Sequence, residues 1–300
     1  MKMAIDVKNK NGIRYGEAVL SGISVRLPTQ AETSTNYNHA KDAHVPSFDF
    51  KTKLFVVIER SPRKLLTDAE YRKRRIGVVQ ELLQKNSDKI SVFELNGSKN
   101  MEPTKDENLA LIRFQLACGF TYVTTFFGTV KFWSENFKSY KAMMPDGVEL
   151  VPVIDLNLEH EVFVQLYELA LLEKCSIVGF MGRKLSKNNL DNQLNFEFLH
   201  SRKDDAVVRF ALSIAKSNNG LLNTLVYLRY RFDACSFLTR YGNQNVSEDM
   251  ISALKGAEIE ISQGRELVYI FLILEIPSEP NVIELRVPVV APTQVVQVRS

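Results

Sequence analysis

The chain is poor in cysteine and histidine and has no long apolar run, and each shortage excludes something. Its three cysteines, Cys118, Cys175 and Cys235, lie far apart. No pair has metal-ligand spacing, and an odd number argues against a disulfide framework. The four histidines, His39, His44, His160 and His200, include no close helical pair. His39 and His44 flank Asp42 in a polar stretch that reads as a solvated loop, so no metal and no cofactor is expected. The longest apolar run, Leu267 to Leu274, is strand-sized. It falls well short of the roughly 20 residues that cross a bilayer, which argues against a membrane partner. The opening Met1-Lys-Met-Ala-Ile-Asp6 lacks the apolar core of a signal peptide, and a cytoplasmic location is expected. There is no internal repeat and no low-complexity segment.

What remains is an ordinary globular composition: 300 residues, 45% hydrophobic and 24% charged. That length holds one large α/β barrel or two average domains. A net charge of +3 is mildly basic and permits a nucleic-acid partner without demanding one.

Residues 13 to 27 carry glycines at Gly16 and Gly22 within apolar alternation and predict a hairpin ending at Pro28. Residues 29 to 50 are rich in Ser, Thr, Asn and His and read as a long loop. A regular alternation follows. Leu54–Ile58 predicts a buried parallel strand. Thr67-Asp-Ala-Glu70 has the form of a capping box, opening a helix to about Lys85. Ile90–Leu95 is the next strand, and Thr104-Lys-Asp-Glu107 a second capping box for a helix that Gly119 closes. Strands over Thr121–Phe126, Val148–Leu156 and Ser176–Phe180 alternate with helices over Val130–Met143 and Glu161–Lys174. Asn188 to His200 is polar and mixed. Ala206–Leu212 reads as a strand, Leu221–Tyr230 as a helix and Arg231–Cys235 as a last strand. Repeated strand–helix steps point to a parallel sheet, and the count fits a (β/α)8 TIM-like barrel over residues 1–256 with an N-terminal hairpin. A doubly wound sheet is the competitor, but no G-x-G-x-x-G follows a strand. Residues 257–300, with Pro277, Pro280, Pro288 and Pro292, read as a strand-rich C-terminal appendage.

In a barrel, chemistry sits at the C-terminal strand ends. That rule brings forward Glu94, Asp155 and Asp233, the last a lone acid between Phe232 and the small Ala234 and Cys235. Grouped carboxylates can divide into a nucleophile and a proton-transfer group, bind Mg²⁺, or simply pair with Arg60, Arg183 or Lys184. Phe126, Phe127 and Phe180 offer faces on which a base could stack. The best electropositive stretch is Arg60 to Arg75, which includes Arg72, Lys73, Arg74 and Arg75 and reads as a phosphate-binding patch or a solvated helix face. Arg231 and its neighbours Arg229 and Arg240 flank Asp233 and could hold further phosphates.

In order and spacing these residues resemble the tRNA-guanine transglycosylases and their relatives that insert 7-deazaguanines into DNA. Arg14-Tyr-Gly16, Gly22 and Leu27-Pro28 are similar to that family's opening hairpin. Ile112, Gln115 and Gly119 match its Ile-x-x-Gln-x-x-x-Gly helix, and Phe232-Asp-Ala-Cys-Ser-Phe237 resembles the stretch that holds its nucleophilic Asp. The resemblance covers about residues 10 to 245. It implies a base-exchange glycosyltransferase acting on guanine or a 7-deazaguanine in tRNA or DNA, with no cofactor. Asp233 would form a covalent glycosyl ester and Glu94 would be the acid/base. By the same resemblance Val178-Gly-Phe-Met-Gly-Arg-Lys184 takes the place of the family's Gly-Gly-Leu-x-Val-Gly-Glu, so Gly179, Phe180 and Gly182, with Phe126 and Asp155, would surround the purine. The family's Asp-Ser-Gly-Gly-Phe-Gln motif and its zinc-binding cysteines have no counterpart. Those departures leave a second expectation, a non-catalytic barrel that binds nucleic acid or protein. A third is an unrelated, Mg²⁺-dependent small-molecule activity.

Overall fold

A computed structural model describes residues 4–10, 13–27, 29–34, 53–59, 61–95, 103–182, 190–202, 204–214 and 232–235. The expected helix over 221–230, Arg231 at the start of the expected last strand, and the appendage over 257–300 lie outside the described residues. The fold is mixed α/β, built on parallel sheets with six helices among the described residues. No helix among them is long and apolar enough to cross a membrane.

Three antiparallel strands come first: β1 (Ala4–Lys10), β2 (Ile13–Leu20) and β3 (Ile23–Leu27). The β2–β3 pair is the expected hairpin, turning through Ser21 and Gly22, both at positive φ. Strand β1 pairs with β2 from Ile13 to Val19, and the sequence pattern does not mark it. Two short strands follow, β4 (Thr29–Gln30) and β5 (Glu32–Thr33), inside the stretch that composition marks as loop. Two-residue strands carry too little apolar pattern to stand out in a polar segment.

The parallel strands are β6 (Leu54–Glu59), β7 (Ile90–Leu95), β8 (Tyr122–Phe127), β9 (Glu149–Asp155), β10 (Ile177–Gly182), β11 (Val208–Ile214) and β12 (Ala234–Cys235). They pair in the orders β5-β6-β7 and β4-β12-β11-β10-β9-β8. The helices are α1 (Pro62–Thr67), α2 (Ala69–Lys85), α3 (Lys105–Cys118), α4 (Val130–Ala142), α5 (His160–Leu172) and α6 (Leu190–Ser201).

Local chemistry accounts for most of these boundaries. Thr104 and Glu107 form the expected reciprocal cap of α3, and Gly119 ends it at φ 92°. The cap of α2 differs from expectation. Pro62 starts a separate helix one turn earlier, which ends at Thr67, and the extended Asp68 then accepts the Tyr71 N–H as the cap. Helix α6 occupies the segment whose polarity obscured it. Its Asn195, Phe196 and Leu199 are buried, while Leu190 and Glu197 are exposed.

Alternation along each strand separates two apolar layers. Phe55, Val57, Phe93, Val123, Phe127, Ile154, Val178 and Phe180 pack against the helices. Trp133 stacks on Phe137 at 4.2 Å and lies 4.5 Å from Phe127, so it fixes α4 to the sheet. Val56, Ile58, Val92, Tyr122, Val151, Val153, Ile177, Met181 and Phe210 face the other way. Ala18, Leu20, Val25 and Leu27 of the hairpin pack into that second layer. The Ser21 hydroxyl donates to Tyr122 Oη at 3.0 Å, and burial pushes the Tyr122 phenol up to about 12.

Strands β7 and β8 are neighbours in sequence, yet they belong to different sheets. Two side-chain amides of α3 occupy the seam. Gln115 Nε2 donates to the Thr124 carbonyl and Oε1 accepts the Thr124 N–H, both at 2.8 Å. Asn108 Nδ2 donates to the Phe126 carbonyl at 3.3 Å and Oδ1 accepts the Phe126 N–H at 3.2 Å. The pair thus satisfies an edge of β8 that a strand would otherwise take. The Thr124 hydroxyl, 3.1 Å from the Phe93 carbonyl, bridges to β7.

Candidate functional site

The C-terminal ends of β7, β8, β9 and β10 bring together, on the helix-free face, the residues best able to meet a ligand. Glu94 alternates with Ile90 and Val92 and is 5% exposed. Phe126, partly buried, touches both apolar layers. Asp155 is in phase with Val151 and Val153, pairs with Met181 across β10, and is half-buried. Asp155 Oδ1 accepts both the backbone N–H and the side-chain Nδ2 of Asn157, each at 2.9 Å. An aromatic face between carboxylates on separate strands can stack a planar heterocycle and accept its N–H groups.

The other expected residues divide. Gly179 lies on the same face in mid-strand, but a Cβ there would stand 2.9 Å from Leu212 Cδ1 and 3.0 Å from Val153 Cγ2. Its small size therefore serves packing and opens no space. Phe180 faces the helices, with ring centroids 5.4 Å from Phe232, 6.0 Å from Phe163 and 6.1 Å from Tyr167. It is fully buried there and offers no face to a base. Gly182 ends β10, where a register irregularity shifts its pairing to Ile214.

Asp233 stands apart from Asp155. It is 0% exposed, and its Oδ2 accepts the Arg209 backbone N–H at 2.8 Å while its own N–H donates to the Arg209 carbonyl at 2.9 Å. The carboxylate thus lies in the plane of the sheet at the start of β12, in the place of a ladder carbonyl. Arg209 is level with Val178, three residues before Met181, the partner of Asp155. At about 3.3 Å per residue that offset is on the order of 10 Å along the strand.

The basic stretch is also divided. Arg72 Nη1 donates to the carbonyls of Leu65 and Leu66, closing α1. Arg75 Nε holds Glu59 Oε2 at 3.0 Å, and that buried carboxylate also accepts from Tyr71 Oη and the Ser61 N–H. Lys73 and Arg74 are exposed and remain candidates for phosphate.

Two buried polar residues were not singled out from the sequence. Asn108 lies two helical turns before Gln115, and a second amide on the buried stripe of α3 was the available signal. Arg209 is a lone charge in an apolar run. Its guanidinium donates to Tyr167 Oη at 3.0 Å and to the Leu199 carbonyl at 2.6 Å, tying α5 and α6 to the sheet.

Among the described residues no group of three His, Cys, Asp or Glu side chains could hold a metal ion. Cys118 and Cys175 are buried, and desolvation pushes both thiols up to about 12, which suits packing and not nucleophilic work. No protein-family model matches the chain, and no curated protein matches it.

Proposed function

We propose that the parallel strands are arcs of one (β/α)8 barrel of the transglycosylase plan, which binds a purine or 7-deazapurine base of tRNA or DNA and exchanges it. The pairing of β12 with β4 and of β5 with β6 supports the barrel, because β4 and β5 are consecutive and join the two sheets around Ala31. The remaining opening between the two sheets is the β7–β8 seam filled by Gln115 and Asn108.

The observation that carries the functional reading is Glu94, Phe126 and Asp155 on one face at the C-terminal strand ends, with the Gly16–Leu27 hairpin packed on the same face. Phe126 stacks the base and Asp155 accepts one of its N–H groups. In the exchange, Asp233 Oδ attacks C1′ and the C1′–N9 bond breaks with its electron pair passing to N9. Glu94 in its acid form delivers the proton to the departing base. The Glu94 carboxylate then takes the N9 proton of the incoming base, whose N9 displaces Asp233 from C1′. Exposed Lys73 and Arg74 serve the polymer's phosphates.

A second reading, a non-catalytic barrel that binds nucleic acid, is favoured by one observation: the Asp233 carboxylate is buried and engaged with the Arg209 amide. Attack at C1′ requires the buried Asp233 carboxylate to be uncovered. Incorporation of labelled guanine and of labelled 7-deazaguanine into bulk tRNA and duplex DNA separates the two readings, with Asp233→Asn as control. The amide oxygen of Asn still accepts the Arg209 N–H, so this variant is expected to fold. Exchange requires label to enter one polymer with the native protein and not with the variant. Salt-dependent binding without label from either protein establishes the second reading, and equal label from both removes Asp233 from the chemistry.

A further inference from the structure

Asp155 is not a symmetric acceptor. Its Oδ1 already takes two N–H groups from Asn157, one from the backbone and one from the side chain, each at 2.9 Å. A carboxylate oxygen has two lone pairs, so Oδ1 is saturated. Oδ2 has no hydrogen bond to any described residue. The strand register puts Asp155 on the helix-free face beside Met181, at the end of β9. The carboxylate therefore offers a ligand one oxygen, held in a fixed orientation by a residue two positions further on.

Resting on the base-binding reading above, we infer that Asn157 is a specificity-determining positioning residue. It occupies one oxygen of Asp155, so the seat holds a purine-type base through a single N–H and not through a two-point amidine edge. Guanine presents two adjacent donors, the ring N1–H and the exocyclic amine, spaced to meet both oxygens of a carboxylate. Here the second donor meets an oxygen that is already filled. A site built around both donors rejects the analogue that lacks one by several orders of magnitude. This seat discriminates little between guanine and hypoxanthine, which keeps N1–H and has no exocyclic amine.

Titration of the full chain with guanine and with hypoxanthine, followed by calorimetry, tests this. The native protein is expected to bind both with Kd values within about tenfold of each other. Asp155→Asn is expected to weaken both by at least about tenfold, since Oδ2 is the shared acceptor. Asn157→Ala removes the side-chain donor and opens one lone pair on Oδ1, so guanine is expected to gain at least about fivefold over hypoxanthine. Asn157→Leu, nearly the same size and also without a side-chain donor, serves if the alanine variant fails to fold. A native preference for guanine above about a hundredfold overturns the inference while leaving the base-binding reading intact. So does an equal loss for both bases in the Asn157 variants, which marks a merely structural turn. No binding of either base by folded native protein overturns the base-binding reading and the inference with it.

Discussion

Replacing Gln115 by Leu tests how β8 is held at the seam. The side chain is 0% exposed and nearly isosteric with leucine, so volume is kept and only hydrogen bonding changes. Four bonds are lost. Nε2 donates to the Thr124 carbonyl and, at 3.3 Å, to the Leu111 carbonyl; Oε1 accepts the Thr124 N–H and the Thr124 hydroxyl. Leu111 lies one turn earlier on α3 and keeps its intrahelical partner, and the hydroxyl keeps the Phe93 carbonyl. The Thr124 N–H and C=O are left buried without an acceptor and a donor. Each such group costs about 1–3 kcal/mol, and the variant is expected to lose about 3–5 kcal/mol. Urea unfolding followed by circular dichroism reads this as a lower midpoint at unchanged slope. In a chain of this size the melting temperature falls by on the order of 10 °C. A loss below about 1 kcal/mol would show that β7 closes onto β8 when the amide is removed. The seam would then be an ordinary ladder that Gln115 merely interrupts. Gln115→Glu sharpens the test. It removes both donors and sets a carboxylate against the Thr124 carbonyl, so burial and repulsion raise its folded pKa above the free value near 4.3. The penalty is then full at neutral pH and shrinks as pH falls through that raised pKa, because the protonated acid can donate again.

Gly179→Ala is expected to cost about 1–3 kcal/mol by overpacking, since its Cβ would stand 2.9 Å from Leu212 Cδ1 and 3.0 Å from Val153 Cγ2; a neutral result in urea unfolding would mean that Leu212 moves aside freely. Cys118 and Cys175, with thiols near 12, are expected to resist an alkylating reagent at pH 8 in the folded protein and to react in denaturant. Rapid labelling of either thiol under native conditions, followed by peptide mapping, would contradict the burial described.

What the sequence made legible, and what it hid, follows from how each feature is encoded. The strands β6 to β10 are short apolar runs between helices with caps, and such runs declare themselves because both faces of a parallel strand are buried. Strands β4 and β5 are two residues each and hold their places by pairing with β12 and β6, partners distant in sequence. No local pattern encodes that. The candidate site divides the same way. Glu94, Phe126 and Asp155 follow from period-two alternation once the strand ends are known, so the sequence could name them. Phe180 fails by the same rule: it is one residue out of phase with Gly179 and Met181, and a one-residue difference in a strand exchanges the ligand face for the helix face. Asp233 is the instructive case. A lone acid between aromatic and small residues has two physical resolutions, a partner in the fold or a use in chemistry, and both bury it beside a strand end. Sequence carries the residue but not the destination of its oxygen atoms, and here Oδ2 meets the Arg209 N–H. If Asp233, 0% exposed, is to act at C1′, the strand end that covers it has to open when substrate binds. Any substrate that triggers exchange must therefore also loosen the β11–β12 pairing, and hydrogen exchange at the Arg209 amide should speed up when nucleic acid binds. Unchanged protection there, in a complex that forms tightly, would confine Asp233 to the role of a strand clip.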